Sequence, residues 1–258
     1  KTLSLGAASL LGVLGLSACS PDAGPVWFPL RAGDVTRYEV RYNPESARED
    51  EVWTLRTRGP VDWQGKSYMQ RHHSQGVAYY LEANEKGVRR VAHQTDMDRE
   101  PLADESPMWV LKAPYQVDTE WTNPTVPYLL MRKNEYPREL KYTHKTTMTW
   151  RIVSVKEEVK LRSGEVLSPC LHVKGEAFLN LYTDPVNGFT DVPLTSREWY
   201  CKGKGLVKFE REEKVPNGFL VATYSLPGIL DELGNKDMLR GHGLVAGIAT
   251  DLAFFPIG

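Results

Sequence analysis

The sequence predicts an all-β protein, either an antiparallel β-sandwich or a strongly curved sheet, with a short C-terminal helical or irregular appendage. Polar and apolar residues alternate with a period of two over residues 35–42, as in a half-buried strand. Turn-forming Gly, Pro and Asn residues recur at regular intervals. No convincing amphipathic helical stretch occurs before Gly228.

The strands can be followed in order along the chain. After the first strand, residues 52–55 continue the pattern, and Gly59 to Gly65 form a turn. Asn84 to Gly87 suit a tight reversal, and Pro216-Asn217-Gly218 predict the last hairpin turn. The remaining strands are predicted at residues 66–73, 76–83, 87–93, 138–155, 166–182, 198–202, 206–211 and 219–225.

Two regions depart from this pattern. Residues 94–137 are acidic and rich in proline, which predicts an irregular insertion within a β-rich domain of residues 27–226. Residues 227–258 form the predicted appendage, in which apolar residues from Leu244 to Phe255 fall near one helical face. This tail either packs on its own core or docks onto an envelope protein partner.

The amino terminus has the three parts of a secretory signal peptide. Lys1 is followed by an apolar run over residues 3–16 and by the small residues Ser17 and Ala18. The run is too short to span a membrane, which needs about 20 apolar residues. Residues 1–18 are therefore predicted to be removed on export.

Leu16-Ser17-Ala18-Cys19 resembles the lipobox of bacterial lipoproteins. The resemblance implies cleavage before Cys19 and lipidation of its sulfur, with several acyl chains such as palmitate holding the chain to a membrane. Ser20 stands where Asp would imply retention in the inner membrane, so the resemblance favours the outer membrane, on a face that it does not specify. Residues 19–26 would form the lipidated tether.

A later segment, from Glu198-Trp199-Tyr200 to Lys208, resembles one that is common in uncharacterised β-rich bacterial lipoproteins. That resemblance implies a fold rather than a reaction, because those proteins share no assigned activity.

The same segment also echoes an earlier part of the chain. Gly65 to Tyr68, Tyr79-Tyr80 and Gly87 to Val91 form one series, and Gly164 to Leu167, Trp199-Tyr200 and Gly205 to Phe209 form a second. Each series reads as a turn and strand, an aromatic pair, and a strand that begins with glycine. Two copies of one meander would explain the echo, and so would the ordinary reuse of hairpin sequences.

Composition and cysteines limit the compartment and the partners. The formal net charge of −1 gives no electrostatic reason to predict a nucleic-acid partner or a polybasic membrane patch. Beyond Cys19, only Cys170 and Cys201 remain. In an exported protein they form either a cross-strand disulfide or two free, buried thiols, since their spacing fits no CxxC motif.

No catalytic, cofactor or metal motif is predicted. Gly59 to Ser67 superficially matches a phosphate-binding loop, but five residues separate its glycines and it joins two strands. The Gly-x-Ser-x-Gly, HExxH and Ser-x-x-Lys patterns are absent from the sequence. The best metal candidates are interpreted as solvated residues at strand ends: His72, His73, His93, Asp96 and Asp98.

The leading functional hypothesis is a non-enzymatic, membrane-anchored envelope lipoprotein that serves as an accessory or structural subunit of a surface or periplasmic assembly. A carrier of lipid or another apolar ligand is the first alternative. A hydrolase of envelope polymers is the second. A cavity within the sheet would favour the carrier, and a filled core would favour the leading hypothesis.

Overall fold

A computed structural model describes residues 26–42, 50–125, 146–184, 188–213 and, for the backbone, 243–254. The regular structure in these residues consists of strands alone, which confirms the all-β prediction. The strands are β1 (Asp34–Tyr42), β2 (Glu51–Trp63), β3 (Lys66–His73), β4 (Val77–Asn84), β5 (Gly87–Thr95), β6 (Leu102–Lys112), β7 (Glu120–Thr125), β8 (Thr146–Lys160), β9 (Val166–Asp184), β10 (Gly188–Cys201), β11 (Gly205–Glu213) and β12 (Gly243–Phe254).

The strands of the described residues form one twelve-stranded antiparallel sheet in the order β6-β5-β4-β3-β2-β1-β12-β11-β10-β9-β8-β7. Of the two predicted architectures, this is the strongly curved sheet. The sheet curls until β6 meets β7, where Asn123 Oδ1 accepts a hydrogen bond from Trp109 N (3.0 Å) and Asn123 Nδ2 donates one to Trp109 O (2.6 Å). It therefore consists of two six-stranded halves that meet at β1–β12 and at β6–β7.

The two ends of the strands are distinguished by the chain connections. Because neighbouring strands along the chain are antiparallel, connections alternate between the two ends. The turns β2–β3, β4–β5, β6–β7, β8–β9 and β10–β11 lie at the end where β1 begins. We call this the proximal end and the opposite one the distal end.

The inner face of the sheet packs against the segment that precedes β1. Phe28 and Leu30 are each 5% exposed and lie between the two halves. Burying each such side chain contributes about 1.5–3 kcal/mol to stability. The described members of this cluster come from β4 to β10: Leu81, Val88, Leu111, Trp121, Ile152, Leu171, Val173 and Tyr200.

Residues 243–254, within the predicted C-terminal appendage, form the strand β12. β12 pairs with β1 on one side and with β11 on the other. A short apolar run suits a helix or a strand equally, and the backbone groups of two flanking strands select the strand here. Residues 227–242 and 255–258 lie outside the described residues.

The predicted irregular insertion was wrong over residues 102–112 and 120–125, which form β6 and β7. Register shifts in the β5–β6 pair hide the alternation by which a strand is recognised, since Arg90 pairs with Met108 and Ala92 already pairs with Ala103. Residues 126–137, the predicted strand 219–225 and the tether before Val26 lie outside the described residues.

Candidate functional site at the proximal end

The chain joins the sheet at the β10–β11 turn. The carbonyl of Val26 accepts a hydrogen bond from Gly203 N (2.7 Å). Gly205, in the same turn, has a φ of +83°, and a Cβ there would lie 3.3 Å from Pro29 Cδ. Glycine is required at this position by both the backbone conformation and the close approach. Cys19, which lies outside the described residues, is only seven residues before Val26.

Arg71 of β3 holds the same segment from the opposite side. Its guanidinium lies 4.5 Å from the centre of the Phe28 ring, and its Nη2 donates a hydrogen bond to Pro29 O (3.2 Å). Its Nε donates to Thr57 Oγ1 (3.0 Å). Burial lowers the pKa of Arg71, and the neighbouring Tyr38 opposes that shift. Residues 28–30 are therefore fixed by both halves of the sheet.

A disulfide cross-links two neighbouring strands of the sheet beside this turn. Cys170 of β9 and Cys201 of β10 are direct register partners, and their Sγ atoms are bonded. The sequence left a disulfide and two free thiols as alternatives, and the structure contains the disulfide. It ties the two strands together two residues before Gly203, which contacts the incoming chain.

A buried carboxyl group lies deeper in the interior. The Tyr200 hydroxyl donates to Glu198 Oε2 and lies 3.3 Å from Val110 O of β6. Burial raises the pKa of Glu198 to about 7, while the hydrogen bond from Tyr200 and the charge of Arg211 oppose that rise. Sequence reasoning missed Arg71, which belongs to no recognisable motif, and it selected Glu198 only as the start of a recurring segment and not as a buried carboxyl group.

His93 forms a cluster with two residues that sequence reasoning did not select. Its Nδ1 lies 2.9 Å from Asp104 Oδ1, and Arg90 binds the same carboxylate through Nε (2.8 Å) and Nη2 (3.0 Å). Burial alone would raise the pKa of Asp104, but the hydrogen bonds from His93 and Arg90 hold it below its ordinary value. Arg90 and His93 flank a register shift in the β5–β6 pair, and Asp104 lies in the part of β6 that has no register partner there.

The other predicted metal candidates do not come together with His93. His72 Nε2 lies 2.8 Å from Gln70 Oε1, whereas His73 Nδ1 accepts a hydrogen bond from Gln75 N (3.1 Å). Asp98 Oδ2 accepts hydrogen bonds from the backbone and the side chain of Thr95.

Asp96 donates its backbone N–H to Gly76 O in the adjoining turn. Within the described part of the chain, no group of three His, Cys, Asp or Glu residues could hold a metal ion.

Comparison with known proteins adds two distant structural similarities. No family profile and no curated protein matches the chain. A Bacteroides fragilis protein, assigned as exported and as having a YmcC-like fold, is 15% identical with a TM-score of 0.34, over 86% of this chain and 96% of that one. A Parabacteroides distasonis protein, assigned as a lipoprotein, is 12% identical with a TM-score of 0.35, over 88% and 98%. Similarity at this level establishes neither a shared fold nor a shared function.

No helix among the described residues is long and apolar enough to cross a bilayer.

Proposed function

We propose that this protein is a membrane-anchored lipoprotein of the bacterial envelope with a non-enzymatic role, as an accessory or structural subunit of an envelope assembly. The observation that carries the proposal is the lipobox, Leu16 to Cys19, placed seven residues before a segment that is built into the sheet. A lipid on Cys19 would act directly on the folded domain, because Val26, Phe28 and Pro29 are held by Gly203 and Arg71.

The interior of the described sheet supports a scaffold more than a carrier. Val40, Val88 and Leu111 have no exposed surface, and Phe28 lies between the two halves. The buried indole nitrogens of Trp121 and Trp150 have no hydrogen-bond partner among the described residues. These nitrogen atoms are closed off from solvent by the surrounding side chains.

The polar clusters also support a non-enzymatic role, because their ionisable groups are bound by neighbouring side chains. Arg90 and His93 both bind the carboxylate of Asp104, so its two oxygens are occupied by neighbouring side chains. Glu198 is engaged by Tyr200 inside the sheet. Each group is used by a neighbour in the structure rather than presented to a substrate.

Replacing the lipobox cysteine tests the proposal. In the full-length precursor, Cys19→Ala should abolish incorporation of labelled palmitate and release the domain from the membrane fraction, since no acyl chain could then be attached. Ser20→Ala is the matched control, and it should be processed and anchored as the wild type is. Wild-type-like membrane association of unlabelled Cys19→Ala would overturn the proposal.

A substitution at the position after the cysteine tests which membrane holds the protein. We expect the wild type in the outer membrane and Ser20→Asp in the inner membrane, as measured by density-gradient separation of the two. Equal distribution of the two proteins would contradict the outer-membrane assignment while leaving the anchor itself intact.

A further inference from the structure

Each of the five described turns at the proximal end has a lysine in it or directly beside it. The turns that follow even-numbered strands are short, and the basic residues in or beside them are not confined to one hairpin. They are Lys66 (β2–β3), Lys86 (β4–β5), Lys112 (β6–β7), Lys160 and Arg162 (β8–β9), and Lys202 and Lys204 (β10–β11).

Most of these charges are uncompensated within the described residues. Arg162 pairs with Glu39, and Lys112 Nζ donates to Glu120 O. The five other lysines form no ion pair with a described residue.

The acidic residues of the same turns are fewer. Asp118 and Glu120 both lie against Arg151, whereas Asp62, Glu85 and Glu165 are exposed. The described turns of the proximal end therefore carry more basic than acidic side chains, although the whole chain is close to neutral.

Exposed apolar side chains accompany these lysines. Val26, Val117 and Val166 are 52%, 46% and 56% exposed, and they lie in the incoming segment, the β6–β7 connection and the start of β9. Lysines around exposed aliphatic side chains suit a bilayer interface, where the ammonium groups meet lipid phosphates and the apolar groups leave water.

We propose that the proximal end rests directly on anionic lipid headgroups of the membrane that holds the chain. This inference rests on the proposed lipid anchor. The tether from Cys19 to Val26 reaches at most about 25 Å when fully extended. Electrostatic attraction decays over about 8 Å at physiological salt, so the lysines act only if this end lies against the bilayer.

The experiment uses the lipidated, full-length protein in vesicles and measures the accessibility of single fluorescent labels to aqueous iodide. Val117→Cys and Val166→Cys place a label at the proximal end, and Met97→Cys places one at the distal end, where Met97 is 75% exposed. Vesicles contain either phosphatidylcholine with phosphatidylglycerol or phosphatidylcholine alone. Flotation with the vesicles reports the anchor separately from the orientation of the domain.

On phosphatidylglycerol vesicles, iodide should quench the two proximal labels at least about threefold less than on neutral vesicles. The reason is that each lysine near an anionic surface adds to the attraction between the domain and the membrane. The Met97 label should be quenched equally on both. A variant with Lys66, Lys86, Lys160 and Lys202 changed to Glu should still float but lose the protection. A control variant with four exposed cations elsewhere changed to Glu should keep it: Arg37, Arg56, Arg99 and Lys156.

Floating protein whose proximal labels stay fully accessible on phosphatidylglycerol would overturn this inference and leave the proposed function standing. Equal protection on neutral vesicles, or protection that survives the four-lysine reversal, would overturn the electrostatic basis. Wild-type protein that fails to float would overturn the proposed function, and this inference with it.

Discussion

The two six-stranded halves of the sheet, β1–β6 and β7–β12, share a strand arrangement but hold their equivalent side chains by different interactions. Strands β3–β5 of the first half correspond to strands β9–β11 of the second. The pairing register shifts at Val91 between β4 and β5 and at Val207 between β10 and β11. Tyr80 and Trp199 immediately precede these shifts and lie opposite Gln70 and His172. The echo in the sequence therefore falls on equivalent strands, but the structure aligns Tyr80 with Trp199 rather than with Tyr200.

The difference lies in how each aromatic side chain is held. The Tyr80 hydroxyl accepts a hydrogen bond from Gln70 Nε2 (3.0 Å) and donates one to Gln94 Oε1 (2.9 Å). Trp199 instead stacks on His172, with 4.6 Å between the ring centres. The Lys208 ammonium lies over the Trp199 ring, 4.2 Å from its centre. Equivalent positions thus use hydrogen bonds in one half and aromatic contacts in the other.

The two seams between the halves also differ. β1 and β12 are joined by a backbone ladder that runs from Asp34–Phe254 to Tyr42–Val245. At the other seam, the side-chain amide of Asn123 replaces a peptide group and bonds Trp109. The first seam is held by the backbone of a whole strand, whereas the hydrogen bonds described at the second come from the side chains of Asn123 and Lys112. Losing the first seam should therefore destabilise the fold much more than losing the second.

Removing β12 should have the largest effect. A chain that ends at Arg240 loses the strand between β1 and β11, and with it the backbone partners of both. We expect loss of cooperative unfolding, measured by circular dichroism in urea. A chain that ends at Phe254 keeps the strand and is the matched control.

A cooperatively folded truncation at Arg240 would contradict this placement of β12. If that truncation also failed to capture an envelope protein that the full chain captures, the tail would serve as a docking segment after all.

Breaking the disulfide should have the next largest effect. Cys170 and Cys201 are 31 residues apart, and closing a loop of that size stabilises a fold by roughly 3–4 kcal/mol in the chain-entropy account. The double variant Cys170→Ala/Cys201→Ala should lose about that much in urea unfolding. In the other half, Tyr80→Phe loses only hydroxyl hydrogen bonds and should lose about 1–2 kcal/mol. Alkylation of both cysteines in the unreduced, exported protein would show that the bridge does not form.

Opening the β6–β7 seam should cost less than losing the bridge. Asn123→Leu keeps the approximate size of the side chain but leaves Trp109 N and O without their partner, which should destabilise the fold by about 2–3 kcal/mol. Asn123→Asp should also destabilise it, because a carboxylate cannot donate to Trp109 O. Thr122→Ala, at the exposed neighbouring position, should change stability by less than about 0.5 kcal/mol.

Hydrogen exchange at the Trp109 amide would locate the effect of Asn123→Leu at the seam. If exchange there remained slow in that variant, the seam would have to be closed by other contacts.

How far the sequence predicts this molecule depends on the range of each interaction. Alternation along β1 and the turn at Asn84–Gly87 are local, and both strands and hairpins were predicted correctly there. The Tyr38 hydroxyl donates to Leu206 O, 168 residues away, and Asn123 bonds a strand edge that exists only once the sheet has curled. No local pattern records such pairings, so the seams and the residues that hold the incoming chain became visible only in the structure.

The smallest expected effect concerns a buried carboxyl group, Glu198, whose equivalent position in the first half is occupied by Tyr79. Glu198 precedes Trp199 as Tyr79 precedes Tyr80, but it is a carboxyl group whose pKa burial raises from 4.5 to about 7. Because the folded state binds this proton more tightly than the unfolded state, its contribution is complete below pH 4.5 and is lost as the pH rises through about 7. The free energy of unfolding should therefore fall by about 1–2 kcal/mol between pH 5 and pH 8, since water screens part of the full effect.

Glu198→Gln should flatten that part of the profile, because glutamine has no proton to lose, whereas Glu176→Gln at an exposed position on β9 should leave the slope unchanged. Urea unfolding at a series of pH values measures both variants. An unchanged slope in Glu198→Gln would mean that the carboxyl group is solvated in the folded state, and the electrostatic difference between the two halves would then disappear.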